Sequence, residues 1–327
     1  MSITRAAAAW LGAALLFLAH AAPARAADPA PAISIHAGKA DSLNHALAMQ
    51  FAAAVATGNT ALTLQVEESQ GSVQNIIDAM HRSGGFVFTT SPNLIAQARR
   101  GEKPFPRNAR YREIRALFPI PPLTMHWVVR ADSGIEDFAD LAQHPFIPGS
   151  KGSFGERQTA SALHALDLDE RVPLIDIDAA GAQGAFVGKQ VSGVALAGTF
   201  PLPAVVELAK ATPIRLLSLT PAELKKVLAA DDSIRPETIP GGIYPGIDND
   251  TVSVAQPVGA YTTTRMSEKL AYAITKAFWS QRAALVQRNP AWAAVTPAGL
   301  ATLGATLHLG ALRYYREAGI TVPATIR

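Results

Sequence analysis

The chain has 327 residues, 49% of them hydrophobic and 17% charged, which supplies one large or two medium-sized cores and excludes a disordered protein. Its 29 basic residues are interspersed with 26 acidic ones for a net charge of +3, without the one-sided stripe of a nucleic-acid binder, so no nucleic-acid partner is expected. Cysteine is absent, which excludes disulfides, thiolate nucleophiles, Cys-ligated metals and a lipidated N-terminal Cys.

The first stretch reads as a processing signal. Arg5 supplies a positive start, and the apolar run 6–19 follows with Leu11, Leu15, Leu16, Phe17 and Leu18 as its bulk. Ala24-Arg25-Ala26 then places small residues around a cleavage point before Ala27. This is the secretory pattern, in a run too short to span a bilayer comfortably. Loss of residues 1–26 removes Arg5 and Arg25 and no acid, hence two of the three excess positive charges. The expected product is periplasmic and not lipidated.

Short apolar runs then alternate with segments of helical period. Ile33-Ser34-Ile35 predicts a strand, 36–44 a polar loop, 46–56 an Ala-rich helix and 62–66 a second strand. Val73, Ile76, Ile77 and Met80 recur at helical spacing after Ser72, and Phe86-Val87-Phe88 is a short buried strand. This rhythm implies a parallel sheet with right-handed crossovers. Further on, strands are expected at 127–129, 146–147, 174–177, 194–196, 214–217 and 253–263. Helices are expected at 135–141, 158–166, 202–210, 267–288 and 312–317, and 231–250 reads as a long irregular connection. The economical arrangement is two α/β lobes.

Four strand-to-helix loops, 36–44, 69–72, 148–156 and 197–203, are polar and contain glycine. Loops in this position expose the N–H groups and partial positive charge of a following helix, which suits a carboxylate or a phosphate. In open α/β sheets such loops line the ligand crevice. Catalytic signatures are missing. Gly149-Ser150-Lys151-Gly152 is neither a nucleophile elbow nor a phosphate loop, and the histidines lack a metal-type pair. The chemistry favours a binder over an enzyme, and no cofactor is expected.

Several segments resemble the TAXI family, the solute-binding subunits of tripartite ATP-independent periplasmic (TRAP) transporters. They are Gln70-Gly71-Ser72-Val73-Gln74-Asn75, Leu196-Ala197-Gly198-Thr199-Phe200-Pro201, Ile239-Pro240-Gly241-Gly242-Ile243-Tyr244-Pro245-Gly246 and Leu309-Gly310-Ala311-Leu312-Arg313-Tyr314-Tyr315. The resemblance implies a periplasmic-binding fold of type II: two α/β lobes, a hinge and a central ligand cleft. It places lobe I at 27–130 with 247–327 and lobe II at 131–246. It implies a small carboxylate or amino acid as ligand and a TRAP-type membrane permease as partner. Three ligand loops depart from the family pattern. Gly38-Lys39-Ala40-Asp41-Ser42 stands where Gly-Thr-Tyr-Tyr-Pro is usual, and Thr90-Ser91-Pro92 replaces Gln-Ser-Asp. Gly-Ser-Gly-Thr corresponds to Ser153-Phe154-Gly155-Glu156 or, with a one-residue shift, to a run that aligns Gly152-Ser153.

The candidate ligand-binding residues are Lys39, Asp41, Ser42, Ser72, Asn75, Thr90, Ser91, Ser153, Gly155, Glu156 and Thr199. Lys39 would meet a carboxylate, and Asp41 or Glu156 an ammonium. Two other readings keep the fold: a sensor reporting to a membrane signalling partner, and an exported enzyme with Glu156 as its proton-transfer group.

Overall fold

Ile33 and Ile35 are fully buried, as their alternation requires, in strand β1 (Ala32–Gly38). In this computed structural model the described residues are 32–327 apart from 41 and 152, so the signal segment and Asp41 lie outside the described residues. Helix α1 (Leu43–Gly58) buries Leu47, Phe51 and Val55 on one face, and strand β2 (Thr63–Glu68) pairs in parallel with β1. Helix α2 (Ser72–Ala79) returns the chain to strand β3 (Phe86–Thr90), which pairs in parallel with the other edge of β1. The crossover rhythm therefore makes three parallel strands whose C-terminal ends share one edge.

Helix α3 (Pro92–Arg100) follows, with proline in its first turn, Arg99 and Arg100 in its last and Gly101 left-handed at its end. Strand β4 (Ile114–Arg130) comes next and is far longer than the expected 127–129. The segment expected as a helix over 135–141 contains only a 3₁₀ turn at Ala139–Leu141. Strand β5 (Phe146–Ile147) leads to helix α4 (Phe154–Ala165). The expected strand at 174–177 is not formed: Leu174 makes one bridge to Phe146 and is 41% exposed, so its apolar alternation has no second sheet edge to cover.

Helix α5 (Ala179–Val187), strand β6 (Gly193–Gly198), helix α6 (Pro203–Ala211), strand β7 (Ile214–Leu216) and helix α7 (Pro221–Ala230) complete this half. The supposedly irregular 231–250 contains strand β8 (Arg235–Ile239), which pairs with strand β9 (Thr251–Thr263). The expected helix 267–288 breaks at Gln281 into α8 (Glu268–Ser280) and α9 (Arg282–Arg288). Helix α10 (Leu309–Glu317) crosses α8 at Gly310, where a Cβ would lie 2.1 Å from the Glu268 carbonyl oxygen. That close approach accounts for the glycine of Leu309-Gly310-Ala311.

The sheet order is β2-β1-β3-β9-β4-β6-β5, with β7 on β4 and β8 on β9. β4 and β9 pair antiparallel along most of their length at the centre of the sheet, and β4 from Thr124 onward pairs with β6 and β7. The core divides along them. Ile114 to Ile120 of β4 and Val258 to Tyr261 of β9 join the core built by β1–β3, α1 and α8. Beyond that point β4 alternates between two other clusters: Met125, Trp127 and Val129 enter one with Val254, and Val128 enters the other. Pro121 and Pro122 fall at the register shift between Ile120, which pairs with Val258, and Leu123, which pairs with Gln256, so only Pro257 of β9 lies opposite them. Proline donates no ladder hydrogen bond, so pairing is thinnest where the cores separate.

Candidate functional site

The division between cores opens a cleft over the C-terminal ends of β1, β2 and β3. Two contiguous cavities lie there, about 640 Å³ and 310 Å³, both lined by Leu123 of the register shift and Phe154 of α4. The smaller is framed by the starts of two helices from opposite halves: Ser42, Leu43 and Asn44 of α1, and Ser153, Phe154 and Gly155 of α4. Both helices are capped by serine. Ser42 Oγ accepts the His45 N–H at 3.3 Å and donates to the Lys39 carbonyl at 2.7 Å; Ser153 Oγ accepts the Glu156 N–H at 3.1 Å. Gly149 completes the wall at φ +123°, and a Cβ there would press within 2.8 Å of the Glu156 nitrogen.

The larger cavity is lined by Gln70 and Ser72 before and on α2, Asn93 and Gln97 on α3, and Arg157 and Gln158 on α4. Asp231, Ser233 and Gln256 complete its polar wall. Gln158 is 1% exposed, and neither its Nε2 nor its Oε1 has a hydrogen-bond partner among the described residues. The other buried side-chain atoms in that condition are Asn44 Oδ1, His45 Nδ1, Asn75 Oδ1, Thr90 Oγ1, Ser91 Oγ and Thr124 Oγ1. Asn44, His45 and Asn75 lie in the first turns of α1 and α2 and Thr90 and Ser91 at the end of β3, whereas Thr124 lies within β4 at a separate crevice. Buried polar groups are normally satisfied, so those beside the cleft have hydrogen-bonding capacity that no described residue uses.

Of the candidates named from sequence, Ser42, Ser153 and Gly155 line the smaller cavity and Ser72 the larger. Asn75 is fully buried and ties α2 to β3 through Nδ2, which donates to the Thr89 carbonyl at 3.0 Å. Thr90 and Ser91 are buried at the end of β3, and Ser91 caps α3 without a side-chain bond. Thr199 lines a separate small crevice with Pro121, Pro122 and Phe200. Lys39 is exposed and lines neither cavity, and Glu156 sits half-buried behind the cap of α4. Sequence reasoning passed over Asn93, Gln97, Arg157, Gln158, Asp231 and Gln256.

Tyr244, within one of the motif segments, packs away from the cleft. Its hydroxyl donates to His126 Nε2 at 2.8 Å and accepts the Leu202 N–H at 2.7 Å. Burial lowers the His126 pKa to about 4 and raises that of Tyr244 to about 12, so both are neutral. At the end of β1, His36 places Nδ1 3.0 Å from Asp78 and Nε2 2.9 Å from Glu67; the His36 bond, chiefly, holds the Glu67 carboxyl below its usual pKa. Among the described residues no group of three or more His, Cys, Asp or Glu is placed to hold a metal, and no helix is long and apolar enough to cross a membrane.

A mixed sheet whose core on the β1–β3 side is segregated from the two clusters beyond the register shift, with a polar cleft where they divide, has the architecture of periplasmic solute-binding proteins. Residues 38–319 match the NMT1-like family, and the chain belongs to it. Its fold is similar to that of a TctC solute binding protein from Polaromonas, at TM-score 0.53 and 16% identity over 85% of this chain and 90% of that one. It is also similar to MatC from Rhodopseudomonas palustris with bound malate, at TM-score 0.49 and 14% identity over 88% and 98% of the two chains. The periplasmic aliphatic sulphonate binding protein SsuA from Escherichia coli aligns at TM-score 0.44 and 16% identity over 88% and 82%.

Proposed function

We propose that the chain is a periplasmic solute receptor of the TAXI type, which binds a small organic anion or amino acid and delivers it to a TRAP-type membrane permease. The observation that carries this reading is the smaller cavity, where the first residues of α1 and α4 face one another from opposite halves of the molecule. Each helix start carries about half a positive charge and free N–H groups, so a carboxylate held between them is stabilised from both sides. Ser42, Ser153 and Gly155 would contact that group, and Ser72, Asn75, Thr90 and Ser91 would form the wall on the β3 side. Exposed Lys39 would draw an anion toward the mouth, Asp41 or Glu156 would meet an ammonium, and Thr199 would support the crossing. The two halves act as lobes, hinged where Pro121, Pro122 and Pro257 thin the sheet, because contacts to both are complete only when the cleft is closed.

Mass spectrometry of small molecules released from protein purified out of its native periplasm tests the reading. A stoichiometric carboxylate is expected, and adding it back to emptied protein should shrink the radius of gyration in solution scattering. Protein that carries no solute, and whose radius stays unchanged with every carboxylate tried, would sink the proposal.

A further inference from the structure

The larger cavity has a chemistry of its own. Five of its lining side chains, Gln70, Asn93, Gln97, Gln158 and Gln256, are carboxamides drawn from both halves and from the connecting strand β9. Its charged lining residues are one of each sign, Arg157 and Asp231, so the wall carries no net charge. A carboxamide presents a donor and an acceptor side by side. Gln158 presents both from full burial, and neither atom has a protein partner among the described residues.

Given the receptor reading above, we infer that this cavity is a specificity subsite for an uncharged, hydrogen-bonding tail, so that the ligand is a monocarboxylate with a hydroxyl- or carboxamide-bearing end and not a dicarboxylate. The argument turns on pairing. A carboxylate only accepts hydrogen bonds; against Gln158 it can use Nε2 and must leave Oε1 buried and unpaired, whichever way the amide is turned. A hydroxyl or a carboxamide both donates and accepts, and satisfies the two atoms together. The other four carboxamides are half-buried or exposed and can pair with water, so the discrimination falls on Gln158. The acidic end of the ligand remains at the helix starts of the adjoining cavity, from which Leu123 and Phe154 separate the tail. Gln158 is then the residue that reads the tail, and no motif in the chain announces it.

Calorimetric titration with succinamate, D-gluconate and succinate tests the assignment on the full protein. Succinamate and gluconate should each bind at least tenfold more tightly than succinate. Gln158→Met keeps the volume and removes both polar atoms; it should abolish that preference, with succinamate and gluconate losing at least tenfold more affinity than succinate. The same variant, free of ligand, should melt at a higher temperature than the parent, because two unpaired buried atoms are gone. Succinate binding as tightly as the other two would overturn the inference, and loss of that binding in Arg157→Gln would assign the tail to a second charge instead. Failure of all three probes to bind would also overturn it. The receptor reading stands or falls separately, on the solute that co-purifies.

Discussion

The Tyr244 hydroxyl donates to Nε2 of His126 across 2.8 Å, tying the 239–246 loop to strand β4 just beyond the point where the cores separate. The direction of the bond follows from the other ring nitrogen. His126 Nδ1 lies 3.1 Å from the Thr124 carbonyl, which can only accept, so Nδ1 carries the proton and Nε2 accepts. Tyr244 also takes the Leu202 N–H, so a single hydroxyl joins three segments. Tyr244→Phe leaves the buried His126 Nε2 and the half-buried Leu202 N–H without this partner and should cost roughly 1–3 kcal/mol in urea unfolding. Ligand affinity of the folded variant should change little, because Tyr244 lines neither cavity. A loss below about 0.5 kcal/mol, the range of ordinary surface substitutions, would show that the relay is not structural.

The same histidine predicts a pH dependence. Its folded pKa, about 4, lies below its ordinary 6.5, chiefly because burial penalises the imidazolium. The unfolded chain therefore binds more protons between those values, and stability falls as the pH drops. The contribution is complete above pH 6.5, is lost progressively toward pH 4 and is worth roughly 3 kcal/mol in all. Carboxylates add their own acid dependence, so the measurement is a difference. His126→Gln should show a shallower decline than the parent between pH 6.5 and 4 in urea midpoints. Parallel curves would contradict the burial argument.

Gly149 gives a steric test of the smaller cavity. Its φ of +123° is one that side chains rarely adopt, and an added Cβ would meet the Glu156 nitrogen at 2.8 Å and the Gly155 carbonyl carbon at 3.1 Å. The backbone of the α4 start cannot give way as a flexible side chain would. Gly149→Ala should cost about 1–3 kcal/mol in stability and push the loop into the cavity, so carboxylate binding should be lost first. Gly71→Ala is the contrast: φ is +106°, yet a Cβ there meets nothing within 4 Å. It should lose stability from backbone strain while disturbing the cavity less.

Much of the fold could be read from residue patterns because its signals are local. Ile33 and Ile35, Val73 to Met80, and the buried Phe86-Val87-Phe88 each declare a period within a few residues. β4 was read only at 127–129 because Pro119, Pro121 and Pro122 interrupt it, and prolines ordinarily argue against a central strand. Here they mark the register shift between two half-sheets. α7 is absent from the sequence expectations, although Thr220 and Glu223 form both bonds of a capping box at its start. α3 is likewise absent from them, although Ser91-Pro92 opens it and Gly101 ends it. The cleft was only partly legible. Serines and glycines at helix starts have a positional signature, and four of them line the cavities. Gln158, Gln97 and Gln256 have none: a glutamine inside a helix or strand looks like a solvated residue until tertiary packing turns three elements toward one space.

The two helix starts of the smaller cavity can be tested with one substitution whose effects on stability and on binding have opposite signs. Aspartate caps a helix about as well as serine, and its charge beside the N-terminal dipole adds about 0.3–1 kcal/mol. Ser153→Asp should therefore leave the ligand-free protein as stable as the parent or slightly more so. If a ligand carboxylate sits between the starts of α1 and α4, the new charge stands within a few ångströms of it. Two like charges about 4 Å apart repel by about 4 kcal/mol at an effective dielectric of 20, and partial exposure of the cap reduces this. A tenfold to hundredfold loss of affinity follows, at roughly 1.4 kcal/mol for each factor of ten. Ser42→Asp should do the same from the opposite half. By contrast, Ser153→Ala should lower stability by about 1 kcal/mol and affinity only modestly, since the backbone N–H groups remain. Titration and thermal melting of the three variants with the co-purified solute separate the cases. If Ser153→Asp and Ser42→Asp bind that solute as tightly as the parent, its acidic group lies elsewhere in the cleft.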